Sequence, residues 1–439
     1  MNSKSHSLYQ EALKVLPGGI SRNTIYRKPH PDYAARGEGC RVTDIDGVTR
    51  IDFANNMASL IHGHAHPVIV EAVTKQLANG TAFTMATESE LRFAQHICGR
   101  NSGFDKIRFM NSGTEAVMAA IKAARAITGR PKIAKTEGAY HGTYDYAEVS
   151  QVSRPENWGS QSNPASIPVV EGTPQAALDD VVIIPFNDVD RTLEILDRHA
   201  SDLACVLIDP LPHRVGLIPA TQEFIQAIRK WTQENNSLFV LDEVITFRLG
   251  FGGAQDWFDV QPDLTALGKI IGGGFPVGGL TGKDEFMSCL DPTQARLPFP
   301  FSGTFSANPI TMTAGRVAME LFDHSAVESL NRLGEYARTR ITEAIHSGGV
   351  AACVTGAGSM FRVHLKPEPP TEYRSAYQSP EEAKQIAFLV NFLYDRGFMM
   401  INTCSAALST VLGESEVDQM VEVLHDGFLA LKASDRGLA

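Results

Sequence analysis

The chain has 439 residues, 43% of them hydrophobic and 20% charged, with no dominant residue type. That balance excludes a collagen, a coiled-coil fibre and a wholly disordered chain, and the length allows two or three domains with large cores. A net charge of -11 opposes a broad nucleic-acid or membrane-surface role, because both need a cationic face.

At the amino end, Met1-Asn2-Ser3-Lys4-Ser5-His6 leads into a polar amphipathic stretch, not the apolar core of a signal peptide. Leu8, Ala12, Val15 and Leu16 predict a helix over residues 8–16, stopped by Pro17-Gly18-Gly19. Residues 40–53 place an Asp46-Gly47 turn between two partly alternating runs, a hairpin pattern. From Pro67 onward, short apolar runs at 106–110, 133–135, 181–186, 204–208, 238–241 and 264–267 alternate with helix-period segments. The helices near 114–128, 191–199 and 221–235 separate several of the runs. Such repetition predicts an α/β fold with an open, mostly parallel sheet covered on both faces. Residues 150–174, rich in Ser, Pro, Gly and Gln, form a loop long enough to be functional or mobile. After about Thr311 the rhythm changes to long helices, 379–396 and 414–432, with short strands between them. We therefore expect a large domain over 59–311 and a small α+β domain over 312–439, joined by the segment 1–58.

No apolar run reaches the roughly 18 residues needed to span a bilayer. The six cysteines (Cys40, Cys98, Cys205, Cys289, Cys353 and Cys404) include no Cys-x-x-Cys pair. This excludes a zinc ribbon or a dense disulfide scaffold and suits a reducing, cytoplasmic compartment.

In doubly wound sheets ligands collect at the carboxyl ends of strands, so the residues just past each run carry the chemistry. Run 106–110 is followed by Asn111-Ser112-Gly113-Thr114-Glu115-Ala116. Ser112 and Glu115 have capping-box spacing, which makes either a well-built helix start or an anion site at exposed amides. Run 238–241 ends in Asp242-Glu243, where an acid can be catalytic, metal-binding or merely solvated. Run 264–267 ends in Gly268-Lys269, ahead of Gly272-Gly273-Gly274. A lysine there either caps a loop or is a desolvated amine, a nucleophile towards carbonyls. Ser302-Gly303-Thr304 is a second small-residue loop able to hold phosphate oxygens. Phosphate cradle, buried acid and nucleophilic lysine together point to pyridoxal phosphate, whose pyridine nitrogen needs a carboxylate partner. No Walker loop, complete Gly-x-Gly-x-x-Gly or Gly-x-Ser-x-Gly elbow is present, and His62-Gly63-His64-Ala65-His66 lacks an acidic partner at ligand spacing, so no metal is expected.

Asn111-Ser112-Gly113-Thr114-Glu115-Ala116, Tyr140-His141-Gly142, Leu241-Asp242-Glu243-Val244, Gly268-Lys269 and Ser302-Gly303-Thr304-Phe305-Ser306-Ala307-Asn308-Pro309 resemble the class III (ω-type) aminotransferases. The likeness covers nearly the whole chain and is similar above all to the glutamate-1-semialdehyde aminomutase and β-amino-acid aminotransferase branch. It implies fold type I, with a large domain on a mostly parallel seven-stranded sheet plus a small α+β domain. It also implies that Lys269 holds the cofactor and shuttles the proton, and that Asp242 pairs with the pyridinium nitrogen. Ser112, Gly113 and Thr114 would bind the phosphate, and Tyr140 and Val244 would flank the ring, with His141 beside them. Thr304 would reach the phosphate of a neighbouring subunit, so a homodimer with active sites at its interface is implied, together with a small-molecule amino donor and a keto acceptor. Where similar enzymes carry Glu-Pro, this chain has Asp209-Pro210 followed by Leu211-Pro212-His213-Arg214. His213 and Arg214 either reshape the pocket or are simply exposed. Ile25 stands where the aminomutase has a substrate-carboxylate arginine. Arg22 resembles the arginine of β-phenylalanine-type aminotransferases, and reads either as a substrate-carboxylate residue or as a surface or interface charge.

Overall fold

In the computed structural model, which describes residues 3–435, the apolar runs assemble into one seven-stranded sheet. Its strands are β1 (Lys106–Met110), β2 (Lys132–Thr136), β3 (Val181–Ile184), β4 (Leu203–Ile208), β5 (Leu238–Asp242), β6 (Leu264–Gly268) and β7 (Gly278–Gly282). The spatial order is β1-β7-β6-β5-β4-β2-β3, parallel from β6 through β3, with β7 antiparallel to both its neighbours. Every residue of β3, β4, β5 and β6 is buried, the pattern of strands covered on both faces. β7 eluded the apolar reading because it is Gly-Gly-Leu-Thr-Gly. Its glycines have a steric reason: a Cβ at Gly278 would collide with the carbonyl oxygen of Ser112. This strand passes directly against the loop that opens the helix Gly113–Thr128.

The helices predicted between strands are present at Gly113–Thr128, Val189–Asp197 and Gln222–Glu234. The first helix of the chain is Lys4–Ala12, four residues earlier than its apolar spacing suggests. Ser3 sets its start by accepting a hydrogen bond from the His6 amide at 3.1 Å. The outlying Leu13, Val15 and Leu16 do not form a core stripe; Val15 is 80% exposed.

Residues 40–53 form the expected hairpin, Arg41–Asp44 with Thr49–Asp52. Asp44 Oδ1 shapes its turn by accepting from the Asp46 and Val48 amides. Ala34–Glu38 extends this sheet on one side, and Phe398–Met399 pairs in parallel with Thr49–Asp52 on the other. A second antiparallel sheet joins Cys353–Thr355, Met360–His364 and Ser405–Ala407. The long helices His324–Gly348, Pro380–Asp395 and Glu414–Asp435 accompany it, the second opened by a full Ser379/Glu382 capping box. Met1, Asn2 and residues 436–439 of the expected terminal segments lie outside the described residues.

The loop over 150–174 is tied down. Gly159–Ser160 pairs with Asn163–Pro164. The Arg374 guanidinium donates to the Trp158 and Gly159 carbonyls and forms an ion pair with Glu137 at 2.8 Å. The histidines near residue 64 are structural ties as well. His62 bridges the Thr410 hydroxyl and the Ala318 carbonyl, each at 2.8 Å, and His64 pairs with Asp52 at 2.8 Å.

Candidate active site

The carboxyl ends of β1, β5 and β6 open onto a cavity of about 360 Å³. At one end stands the N-terminus of the helix Gly113–Thr128. Ser112 Oγ accepts from the Glu115 amide at 3.1 Å, but the Glu115 carboxylate reaches one residue past the expected partner, to the Asn111 amide at 2.7 Å. The capping box is therefore stretched across Asn111 and Ser112. The amides of the first helical turn have no carbonyl of a preceding turn to bind, so those of Gly113 and Thr114 are suited to an anion. A Cβ at Gly113 would lie 2.7 Å from Val244 Cγ1, and one at Gly142 would lie 2.6 Å from Thr114 Oγ1. Glycine at both positions leaves the space between helix and strand ends open.

Asp242 closes β5 at the other end. Its Oδ2 meets His141 Nδ1 at 2.7 Å, and its Oδ1 accepts from the Val244 amide at 3.0 Å. Both side chains are buried, so the pair is fixed in place. Burial holds the His141 pKa below the usual imidazole range, although Asp242 pulls the other way. Carboxylate oxygens carry two acceptor sites each, so Asp242 keeps capacity for a further donor in the cavity.

Lys269 directly follows β6 with φ of 47°, a left-handed conformation that strains a residue with a Cβ. Its ammonium makes no hydrogen bond or ion pair among the described residues. Burial lowers its pKa, against the opposing pull of Asp242 and Asp209. Asp209 accepts from the Leu211 amide at 3.0 Å, and burial together with nearby Asp242 raises its carboxyl well above the usual range.

A second cavity, of about 800 Å³, adjoins the first; Tyr140, Asp209, Ile245 and Lys269 line both. Its walls come from distant segments, among them Asn23 and Thr24, Arg154, His213 and Arg214, Arg362, and Thr403. Tyr140 is 40% exposed, and the Arg214 guanidinium lies 5.4 Å from its ring centre. Arg214 and His213 thus face the cavity. Arg22 is exposed and donates to Asn56 Oδ1 at 2.8 Å; Asn56 lines the smaller cavity, which places Arg22 at its rim. Thr304 is exposed and lines neither cavity of its own chain. Arg362 was not reached from the sequence. The available signal was a charge inside Met360-Phe361-Arg362-Val363-His364, a strand whose every residue is buried.

Residues 26–426 match the family Aminotransferase class-III. The chain belongs to the class III aminotransferases. This class III aminotransferase is 39% identical over 377 residues to a glutamate-1-semialdehyde 2,1-aminomutase of Methanothermobacter thermautotrophicus, over 86% of this chain and 87% of that protein. An omega-transaminase from Sphaerobacter thermophilus superposes with a TM-score of 0.95 at 46% identity, covering 97% of each chain. A β-phenylalanine aminotransferase from Variovorax paradoxus does so with a TM-score of 0.86 at 30% identity, over 96% of this chain and 93% of that one. These neighbours share fold type I, and class III aminotransferases use pyridoxal phosphate. The smaller cavity fits that cofactor: free helix amides at one end, a fixed buried carboxylate at the other, and a partnerless lysine at the wall.

Proposed function

We propose that this aminotransferase moves the amino group of an amino acid, β-amino acids included, or of an amine to a keto acid in a ping-pong cycle. The observation that carries the reading is Lys269, whose unpartnered amine stands in the wall shared by the two cavities. The smaller cavity would hold the cofactor and the larger one each substrate in turn. Bound pyridoxal phosphate supplies a carbonyl that captures amines and a ring that accepts an electron pair. Gly113, Thr114 and Ser112 hold its phosphate, Tyr140 and Val244 flank its ring, and Asp242, braced by His141, keeps the ring nitrogen protonated. Lys269 Nζ would accept the proton from the donor carbon and deliver it to the carbon that the cofactor carbonyl supplies; its lowered pKa leaves more of the amine free to accept one.

Mixing holoprotein singly with α-, β- and ω-amino acids and aryl amines tests this. Bleaching of the yellow cofactor band with one donor class, and recovery on adding a keto acid, is the expected result. A shift without bleaching would overturn transamination. A second reading, an aminomutase, is favoured by the name of the curated relative. It would exchange the amino group within one molecule and need no external acceptor, so the same mixtures separate the two. Ile25 at the aminomutase arginine position speaks against it.

A homodimer is part of this reading. Thr304 and Phe305 (60% exposed), with Met85 (80% exposed), present polar and apolar side chains away from their own chain. In the dimer Thr304 would complete the partner's phosphate site. Sedimentation of the holoprotein as a monomer would remove this part of the proposal. Six free cysteines support a reducing, cytoplasmic setting, and no helix among the described residues is long and apolar enough to cross a membrane.

A further inference from the structure

The larger cavity has an electrostatic imbalance. Arg154, Arg214, Arg362 and Lys269 line it, whereas Asp209 is the only acidic side chain in its walls among the described residues. Burial and Asp242 raise the Asp209 carboxyl above its usual range, and a single acid is in any case outnumbered by these cations.

Arg362 is the most constrained of the group. It lies on the strand Met360–His364 and is only 4% exposed. Its Nη1 donates to the His213 carbonyl at 3.1 Å, while its Nε is buried with no partner. No carboxylate pairs with it among the described residues. Burial pulls its pKa down to about 10, so it remains a cation at neutral pH. A buried guanidinium with an unused N–H and no counter-ion is costly, and an anion within reach removes that cost. Arg374 shows the ordinary solution, an ion pair with buried Glu137. Arg248 also has an unpartnered nitrogen, but it lines neither of the two cavities.

The group that Arg362 touches, His213, brings no charge of its own. His213 Nε2 lies 3.0 Å from Ser405 Oγ and 3.2 Å from Thr403 Oγ1. Burial and the cations Arg362, Arg214 and Lys269 push its pKa down to about 3, so it stays neutral. The neutral groups of His213, Thr403 and Ser405 thus lie on the Arg362 side of a cavity that also reaches Lys269.

We propose that Arg362 is a carboxylate anchor of the larger cavity, binding the carboxylate of the amino-acid donor or keto-acid acceptor and setting the preference for charged over uncharged amines. The proposal rests on the aminotransferase reading above. It differs from the role considered for Arg22, which is exposed at the rim and already bonded to Asn56.

The test uses holoenzyme carrying Arg362→Gln or Arg362→Lys. Half-reaction bleaching is followed with an amino acid that the unaltered enzyme accepts and with 1-phenylethylamine, which lacks a carboxylate. Binding of 3-phenylpropanoate, a carboxylate without an amine, is measured in parallel by calorimetry. Arg362→Gln is expected to raise the half-saturating amino-acid concentration and the 3-phenylpropanoate Kd by about tenfold or more, with the aryl amine changed less than about twofold. Arg362→Lys, which keeps the charge, is expected to fall between. Equal loss for both donors, or no change for either, overturns the proposal. If Arg362→Gln does not fold, Arg362→Lys decides by the same split between donors. If the unaltered enzyme bleaches with no donor, the aminotransferase reading itself fails; if it bleaches normally and the split is missing, only the Arg362 assignment does.

Discussion

The two adjoining cavities are built in opposite ways. The smaller takes its phosphate-, ring- and amine-facing groups from residues at or just past the ends of strands of the large sheet: Ser112 to Thr114 after β1, Asp242 and Val244 at the end of β5, and Lys269 after β6. Local bonds orient several of its groups, Ser112 to the Glu115 amide and Asp242 to the Val244 amide, with His141 the long-range exception. The larger cavity gathers Asn23, Arg154, His213, Arg362 and Thr403 from segments far apart in the chain, and its cations outnumber its acids. The difference is one of task. A phosphate and a pyridine ring are met by motifs that one strand end can supply, whereas the shape and charge of a substrate are met by surfaces that only packing brings together.

That contrast is open to direct attack. The largest effect is expected at the shared wall: Lys269→Ala should abolish turnover, and continued turnover would remove the proton-shuttle role and with it the assignment of both cavities. Asp242→Asn comes next. It should leave cofactor in the protein but lower kcat by about a thousandfold or more, because a neutral amide no longer favours a protonated ring nitrogen. Retention of rate within tenfold would show that the buried acid has another purpose. On the substrate side the effects should be smaller. Arg22→Ala is expected to raise KM for carboxylated donors by about three- to tenfold at little cost in kcat, since a rim arginine contributes a partly solvated contact. Unchanged KM values would leave Arg22 a surface charge.

The smallest kinetic effect is expected at Asp209. Burial and Asp242 hold its carboxyl above the usual range, which shifts it towards the neutral acid that an amide resembles, so Asp209→Asn should change kcat less than about tenfold, in contrast to Asp242→Asn. Stability supplies a second readout. A carboxyl whose folded pKa is raised binds its proton more tightly in the folded state. Its contribution is fully present below the ordinary value of 3.8 and is lost as pH rises through the raised value. Urea unfolding midpoints should therefore fall less steeply with rising pH in Asp209→Asn than in the unaltered protein. Identical slopes would show that Asp209 titrates normally.

Several elements of this protein were legible before any tertiary structure. The strands β1 to β6 stood out because buried parallel strands are near-continuous apolar runs, and Ser112, Asp242 and Lys269 stood out because they follow such runs directly. β7 did not, since its glycines answer to the Ser112 carbonyl pressed against them and not to any hydrophobic period. The first helix was misplaced because Leu13, Val15 and Leu16 have helical spacing without facing the core.

What the amino-acid sequence determined by itself was therefore six of the sheet's seven strands, their order along the chain, and the cluster at their carboxyl ends, all of them read from local patterns. Tertiary structure alone decided that Phe398–Met399 completes the N-terminal sheet, that His141 braces Asp242 across 101 residues of chain, and that Arg362 lies unpaired beside His213. Each of these depends on desolvation and contact between segments remote in sequence, and a charge reveals its cost only when the groups that enclose it are in place.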